Sequence, residues 1–235
     1  MNIVVIGGSG GIGKEFVLKL LARPETTKLH ATYRTTQPLV TDSRLCWHQL
    51  DITDEHAMRE WAKGLEEIDW IINAVGMLHT PDVGPENSIT RLTAKHMISS
   101  MQVNALPSLM IAKYLNKKLR RDAHTIYATL SAKVGSIEDN MLGGWYSYRM
   151  SKAALNMGLK TLSIEWKRTL PKLSVLAIHP GTTNTRLSKP FQRNVPEEQL
   201  FSPENAVSQM LQVLDDVQLG ETGLFLAFDG ERLPW

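Results

Sequence analysis

Tyr148 precedes Lys152 by four residues in the run Gly143-Gly-Trp-Tyr-Ser-Tyr-Arg-Met-Ser-Lys-Ala-Ala-Leu-Asn156. On a helix that spacing puts both side chains on one face, so a phenol and an ammonium become neighbours. A tyrosine acts as an acid or base near neutral pH only if its pKa drops from about 10 by ~3, an effect of roughly 4 kcal/mol. A nearby cation works in that direction because it favours the phenolate. The pair therefore reads as a proton donor to a carbonyl oxygen and, in reverse, a base toward an alcohol. Tyr-x-x-x-Lys also arises in amphipathic helices that do no chemistry, so the pair needs a site around it. Tyr146 cannot share the helical face of Lys152 and is assigned to packing.

A second chemical signal lies near the N-terminus, in Ile6-Gly-Gly-Ser-Gly-Gly-Ile-Gly13. Glycines between a strand and a helix allow positive φ and close approach of backbone amides, and a helix N-terminus favours a phosphate. Two registers fit the letters: Gly8, Gly10 and Gly13 match Gly-x-Gly-x-x-Gly, whereas Gly7, Gly11 and Gly13 match Gly-x-x-x-Gly-x-Gly. Either way, the strand-loop-helix context is what a dinucleotide fingerprint requires. A glycine-rich turn without a ligand is the plain alternative. About twenty residues further on, an NAD site would place a carboxylate for the ribose diol. This chain has Thr32-Tyr33-Arg34-Thr35 instead. Arg34 suits a 2′-phosphate, so NADP(H) is expected over NAD(H).

The elements that must position these groups alternate along the chain. Strands are expected at 3–6, 29–33, 46–50, 70–75, 125–130, 173–178 and 224–228, from short apolar β-branched runs. Helices are expected at 13–21, from a cap at Thr53 or Asp54 to 65, over 92–119 with a break or start at Pro107, over 143–170 and over 203–217. Such alternation predicts an α/β protein with a parallel sheet and helices on both faces. Residues 77–88, with Pro81, Gly84 and Pro85, read as an irregular loop. Residues 179–200 carry three prolines and read as a loop or lid, mobile over 182–200.

With 235 residues, one sizeable core is expected, in a single domain over 1–235. A formal charge of +2 without a basic run gives no reason to expect nucleic acid or an anionic membrane as partner. No apolar stretch approaches membrane-spanning length, and the first residues read as a strand rather than a secretion signal. The lone Cys46 excludes an internal disulfide framework, so a cytoplasmic home is expected. His79, His96 and His124 lack metal-ligand spacing, and no metal is expected.

With the glycine loop, Asn73-Ala-Val-Gly76, Asn104, Tyr148 with Lys152, and Pro180-Gly181 in order, the chain resembles the short-chain dehydrogenase/reductases over nearly its whole length. Lys133-Val-Gly-Ser-Ile together with the Tyr148 run is similar to the branch of sniffer-type carbonyl reductases and bacterial C-factor proteins. The resemblance implies a Rossmann fold, a doubly wound sheet of about seven strands in the order 3-2-1-4-5-6-7. It implies cofactor contacts from Gly7, Ser9, Gly10, Gly11, Ile12 and Gly13, favouring the second register. Asp51 and Ile52 would flank the adenine, Asn73, Ala74 and Gly76 the adenosine side, and Pro180, Gly181, Thr183 and Thr185 the nicotinamide. Lys152 would also hold the nicotinamide ribose, and Asn104 would support a water in a proton relay. A homodimer or homotetramer is implied by analogy.

One departure matters. The family places two serines after the fifth strand, the second polarising the substrate carbonyl, and here the pair reads Ser131-Ala132. Ser131 is expected to supply the hydroxyl, with Ser136 as the other candidate. The reading is a reversible hydride transfer between nicotinamide and a carbonyl or secondary alcohol, with Tyr148, Lys152, Ser131 and Asn104 as the catalytic set. The alternative is a nucleotide-binding signalling protein of C-factor type with little or no turnover. The substrate pocket is expected from 77–88, 137–142 and 182–200.

Overall fold

The computed structural model describes residues 1–80 and 82–235, apart from the side chain of Asn194; Pro81 of the expected loop lies outside the described residues. In chain order the elements are β1 (Asn2–Ile6), α1 (Gly11–Leu21), β2 (Lys28–Tyr33), β3 (Leu45–Gln49), α2 (Glu55–Lys63), β4 (Trp70–Asn73), α3 (Ala94–Asn104), α4 (Leu106–Leu115), β5 (Thr125–Leu130), α5 (Tyr146–Thr169), β6 (Leu173–His179), β7 (Thr182–Thr183), β8 (Leu200–Phe201), α6 (Pro203–Asp216) and β9 (Leu224–Ala227). Seven strands form one sheet in the order β3-β2-β1-β4-β5-β6-β9, every pair parallel. Counting only these strands, the order is the expected 3-2-1-4-5-6-7, a single doubly wound α/β layer.

Strand alternation divides the core in two. Ile3 and Val5 face Phe16, Val17 and Leu20 of α1 and Val207 and Met210 of α6. Val4 and Ile6 face the opposite side, with Met58 of α2, Ile111 of α4 and Leu155 and Leu159 of α5. Each such side chain, fully buried, contributes roughly 1.5–3 kcal/mol, which is why these strands read as unbroken apolar runs. Among the described residues no helix is long and apolar enough to cross a membrane.

Several boundaries differ from the expected ones for local reasons. The 92–119 region is two helices that meet at Ala105, with Thr93 capping α3 at the His96 amide and Pro107 in the first turn of α4. Asp54 caps α2, while the Thr53 hydroxyl and amide both donate to Asp51. Helix α5 starts at Tyr146 rather than 143, because Gly143, Gly144 and Trp145 all adopt left-handed backbone, with φ of 65°, 66° and 51°. The expected lid is tied at both ends, where β7 pairs with β8.

Near the sheet edge, His30 Nδ1 lies 2.9 Å from His48 Nε2, and the His48 ring packs edge-on against Trp61 of α2. Burial, then the neighbouring imidazole and Lys28, lowers His30 to about 4; burial and Lys28 also lower His48. Both rings are thus neutral in the fold at pH 7, whereas an unfolded histidine takes up a proton below about 6.5. Below that pH the unfolded chain binds more protons, so stability is expected to fall as pH drops from 6.5 toward 4. The contribution of His30 is at most about 3 kcal/mol. Urea unfolding across that range should show a steeper loss for the parent than for His30→Gln; equal slopes would refute this account.

Candidate active site

The C-terminal ends of β1, β4, β5 and β6 converge on one edge, and the loops that follow them carry the predicted residues. After β1, Gly7 takes a left-handed φ of 78°, and a methyl there would lie 2.6 Å from Val75 Cγ2. A methyl on Gly13 would meet the Gly7 carbonyl oxygen at 2.1 Å, so α1 can approach its own loop only through a hydrogen. A methyl on Gly11 would lie 3.0 Å from Thr185 Cγ2, and one on Gly8 would meet Ala31 and Trp47 at 3.1 Å. Among these loop glycines Gly7 alone has a positive φ. The Gly7 amide is held by Thr32 Oγ1 at 2.9 Å, a role the letters did not reveal.

The first helical bond of α1 runs from the Lys14 amide to the Gly10 carbonyl, which leaves the amides of Gly11, Ile12 and Gly13 ahead of it. No acidic side chain occupies the first turn, and Ser9 and Gly10 are exposed beside it. This cradle fits the pyrophosphate of a dinucleotide. Arg34 is exposed just past β2, and among the described residues no carboxylate pairs with its side chain. Asp51 is exposed and Ile52 buried at the end of β3; bonds from the Thr53 hydroxyl and amide hold the Asp51 carboxyl low, with a smaller contribution from Arg34.

On the other side of β1, Asn73 turns inward rather than toward the cleft. Its Nδ2 donates to Ser108 Oγ at 2.8 Å and its Oδ1 accepts from the Val75 amide at 3.1 Å. Ala74 and Gly76 are half-buried along the cleft floor. Asn104, at the end of α3, braces that floor: Oδ1 accepts from the Met77 amide at 2.7 Å, and Nδ2 donates to the Met77 carbonyl and Ser151 Oγ, each at 2.8 Å.

Lys152 is buried, donates to the Leu130 carbonyl at 2.9 Å and sits 5.9 Å from the Tyr148 ring centroid. A methyl on Gly76 would lie 3.5 Å from its Nζ and 3.8 Å from Asn104 Oδ1, so the three residues meet at one point. Burial lowers Lys152 to about 8. Burial also raises the Tyr148 phenol, contrary to the expected depression. The spacing argument counted the ammonium and omitted the desolvation that the same packing imposes on the phenolate.

Both candidate serines have hydrogen-bond partners of their own. Ser131 is buried and donates to Asn156 Oδ1 at 2.6 Å, one turn of α5 beyond Lys152. Ser136 donates to the Trp235 carbonyl and accepts from the Asp139 amide. Ala132 packs beside Tyr148, with Leu78. Trp145, Phe191, Leu187 and Val134 complete this wall, and Phe191 lies edge-on to both Trp145 and His79.

After β6, Gly181 has φ of 68° and Thr183 Oγ1 donates to the Pro180 carbonyl. Pro180 is half-buried, and the turn carries Thr185 across to the glycine loop. Ser188 Oγ binds the Thr183 carbonyl and the Thr185 amide, fixing that crossing.

A glycine loop at the switch point of a doubly wound sheet defines a nucleotide-binding protein of the Rossmann type. The profile described as short chain dehydrogenase matches residues 1–196, and the chain belongs to that family. It is 33% identical over 139 residues to the C-signal of Myxococcus xanthus, covering 59% of this chain and 78% of that one. Among solved structures it superposes on the carbonyl reductase Sniffer of D. melanogaster with a TM-score of 0.87 at 21% identity, covering 100% and 99% of the two chains. A crystal structure of NADPH-bound carbonyl reductase from chicken fatty liver gives 0.85 at 25% identity, covering 100% and 98%. The chain is thus an oxidoreductase of the short-chain type, similar to the sniffer and C-factor branch.

The glycine geometry makes a sharp stability test. Gly13→Ala should cost about 1–3 kcal/mol in denaturant unfolding, because the new methyl must displace the Gly7 carbonyl. Gly10→Ala, whose methyl would stand 3.4 Å from the same oxygen, should cost less than about 1 kcal/mol. Equal effects would mean the loop is not packed as described.

Proposed function

We propose that the protein is an NADP(H)-dependent oxidoreductase that interconverts a carbonyl compound and a secondary alcohol, with Tyr148 as the proton donor and acceptor. One observation carries the reading: Tyr148 and Lys152 lie buried together beside the cleft floor at Gly76, at the sheet edge where the glycine loop opens. The amides of Gly11, Ile12 and Gly13 would hold the pyrophosphate, Asp51 and Ile52 the adenine, and Arg34 the 2′-phosphate. When bound, the nicotinamide supplies or accepts the hydride.

The chain's own groups handle the proton. A buried phenol stays protonated through neutral pH, which is the state needed to donate to a carbonyl oxygen as negative charge develops there. Lys152 favours the phenolate that remains, and its lowered pKa lets it exchange a proton close to neutral pH. Asn104 keeps Met77 and Ser151 in place around this pair and supports the relay from α3. The wall of Leu78, Trp145, Leu187 and Phe191 suits a small, moderately apolar substrate. Met150, Met157 and Ile164 are exposed at intervals of seven along α5, which supports assembly with a second copy on that face.

The methyl of Ala132 beside Tyr148 favours a second reading, a signalling protein with little turnover, because one oxygen donor is fewer than acyl or carbonyl chemistry usually employs. Screening aldehydes and ketones with NADPH separates the two. Tyr148→Phe should lower NADPH-dependent reduction at least ~100-fold and leave NADPH affinity nearly unchanged. Substantial retained reduction would assign the acid elsewhere. Arg34→Asp should shift the ratio of NADPH to NADH affinity by about tenfold or more toward NADH; an unchanged ratio would remove Arg34 from the cofactor site.

A further inference from the structure

Helix α5 begins abruptly. Three left-handed residues lead into it, its N-cap Trp145 supplies no side-chain cap, and its first turn holds no acidic residue. The anchor comes from 61 residues earlier in the chain. Glu86, on the loop before α3 and only 3% exposed, accepts from the Ser147 amide through Oε2 at 3.1 Å and from the Ser147 hydroxyl through Oε1. Its own backbone carbonyl accepts from the Trp145 amide. One residue thus takes three donors from the turn that immediately precedes Tyr148.

From the opposite side, Arg149 Nε donates to the carbonyls of Gly143 and Gly144, each at 3.1 Å, and its Nη1 donates to the Val134 carbonyl at 3.3 Å. Trp145, held by Glu86, packs edge-on against Tyr148 and Phe191. Burial pushes the Glu86 carboxyl up, but the two Ser147 bonds, a bond from its own backbone amide and, last, the neighbouring His96 outweigh it, so the group lies below its ordinary value. A carboxylate at a helix N-terminus is also favoured by the helix dipole.

We infer that Glu86 is a positioning residue for the oxidoreductase reaction: it fixes the first turn of α5 and thereby the direction of the Tyr148 hydroxyl. The inference rests on the function proposed above. A displacement of about 1 Å at a reacting group is enough to cost on the order of a hundredfold in rate, so the anchor has a catalytic consequence without touching substrate.

Three proteins decide it, the parent, E86A and E86Q, each assayed for NADPH affinity, para-nitrobenzaldehyde reduction and amide exchange. E86A should lower kcat about tenfold or more, with NADPH affinity within about twofold. In E86Q the amide oxygen still accepts from the Ser147 amide and the amide nitrogen donates to the Ser147 hydroxyl, so kcat should return to within about threefold of the parent. Exchange in residues 143–152 should quicken ~tenfold in E86A, with α1 and β5 unchanged. Parental kcat and exchange in E86A, an E86Q as impaired as E86A, or parallel loss of kcat, NADPH binding and global stability would each overturn the inference. If the parent reduces no carbonyl at all, the oxidoreductase reading fails, and the exchange measurement still decides whether Glu86 anchors the turn.

Discussion

The site depends on a buried ammonium. Lys152 is almost fully withdrawn from water, and the acceptor the fold gives it is the carbonyl of Leu130, the last residue of β5. An ammonium has three donors, and an isolated buried charge is costly, so the fold has placed here a group that gains strongly from further acceptors. Its approach is possible because Gly135 carries no side chain: a methyl there would lie 2.8 Å from Lys152 Cβ and 2.9 Å from its carbonyl carbon. A helix of 24 residues is thus pressed onto the end of a central strand at the point where one turn carries Tyr148 and the next Lys152.

The same rule of close approach organises the other half of the cleft. Gly13 lets α1 close on its own loop, Gly7 lets that loop pass Val75, and Thr32 holds the Gly7 amide in register. The order of strands then does the rest. Because β1 pairs with β2 on one side and β4 on the other, the chain's connections diverge between β1 and β4, leaving a crevice above the sheet. Asn73 spends its side chain on Ser108 and Val75, so its contribution is the shape of the floor. Asn104 does the same work from α3, one layer further along.

Much of this was legible in the letters, because spacing encodes it. Alternating apolar runs gave the strand order its raw material, and the glycines and the Tyr148–Lys152 interval report local geometry that needs no distant partner. What stayed hidden depended on partners far apart in sequence or on orientation at the end of an element. Glu86 looks like an ordinary loop acid until α5 arrives to meet it. Ser131 was expected beside Tyr148, yet its hydroxyl is taken up by Asn156, two turns further along α5, while the methyl of Ala132 packs at the phenol. The phenol's pKa failed for a related reason: burial has no signature in a four-residue interval.

These corrections bear on one another. In the proposed reaction, with Ala132 in place of a hydroxyl, a substrate oxyanion beside Tyr148 would meet one side-chain donor instead of two. Loss of one such donor in a preorganised site costs about 3–4 kcal/mol of transition-state stabilisation elsewhere in enzymology. The remaining donor must then be held more narrowly, since no second bond corrects its aim. The structure concentrates its constraints there: Glu86 and Arg149 grip the entry to α5, Trp145 and Ala132 pack the ring, and Gly135 lets the helix close on the turn that follows β5. In the proposed reaction, a donor buried enough to stay protonated and flanked by Trp145 and Ala132 would make a carbonyl that readily accepts negative charge the better substrate. The chemistry of this site therefore follows from how rigidly α5 begins as much as from which residues it carries.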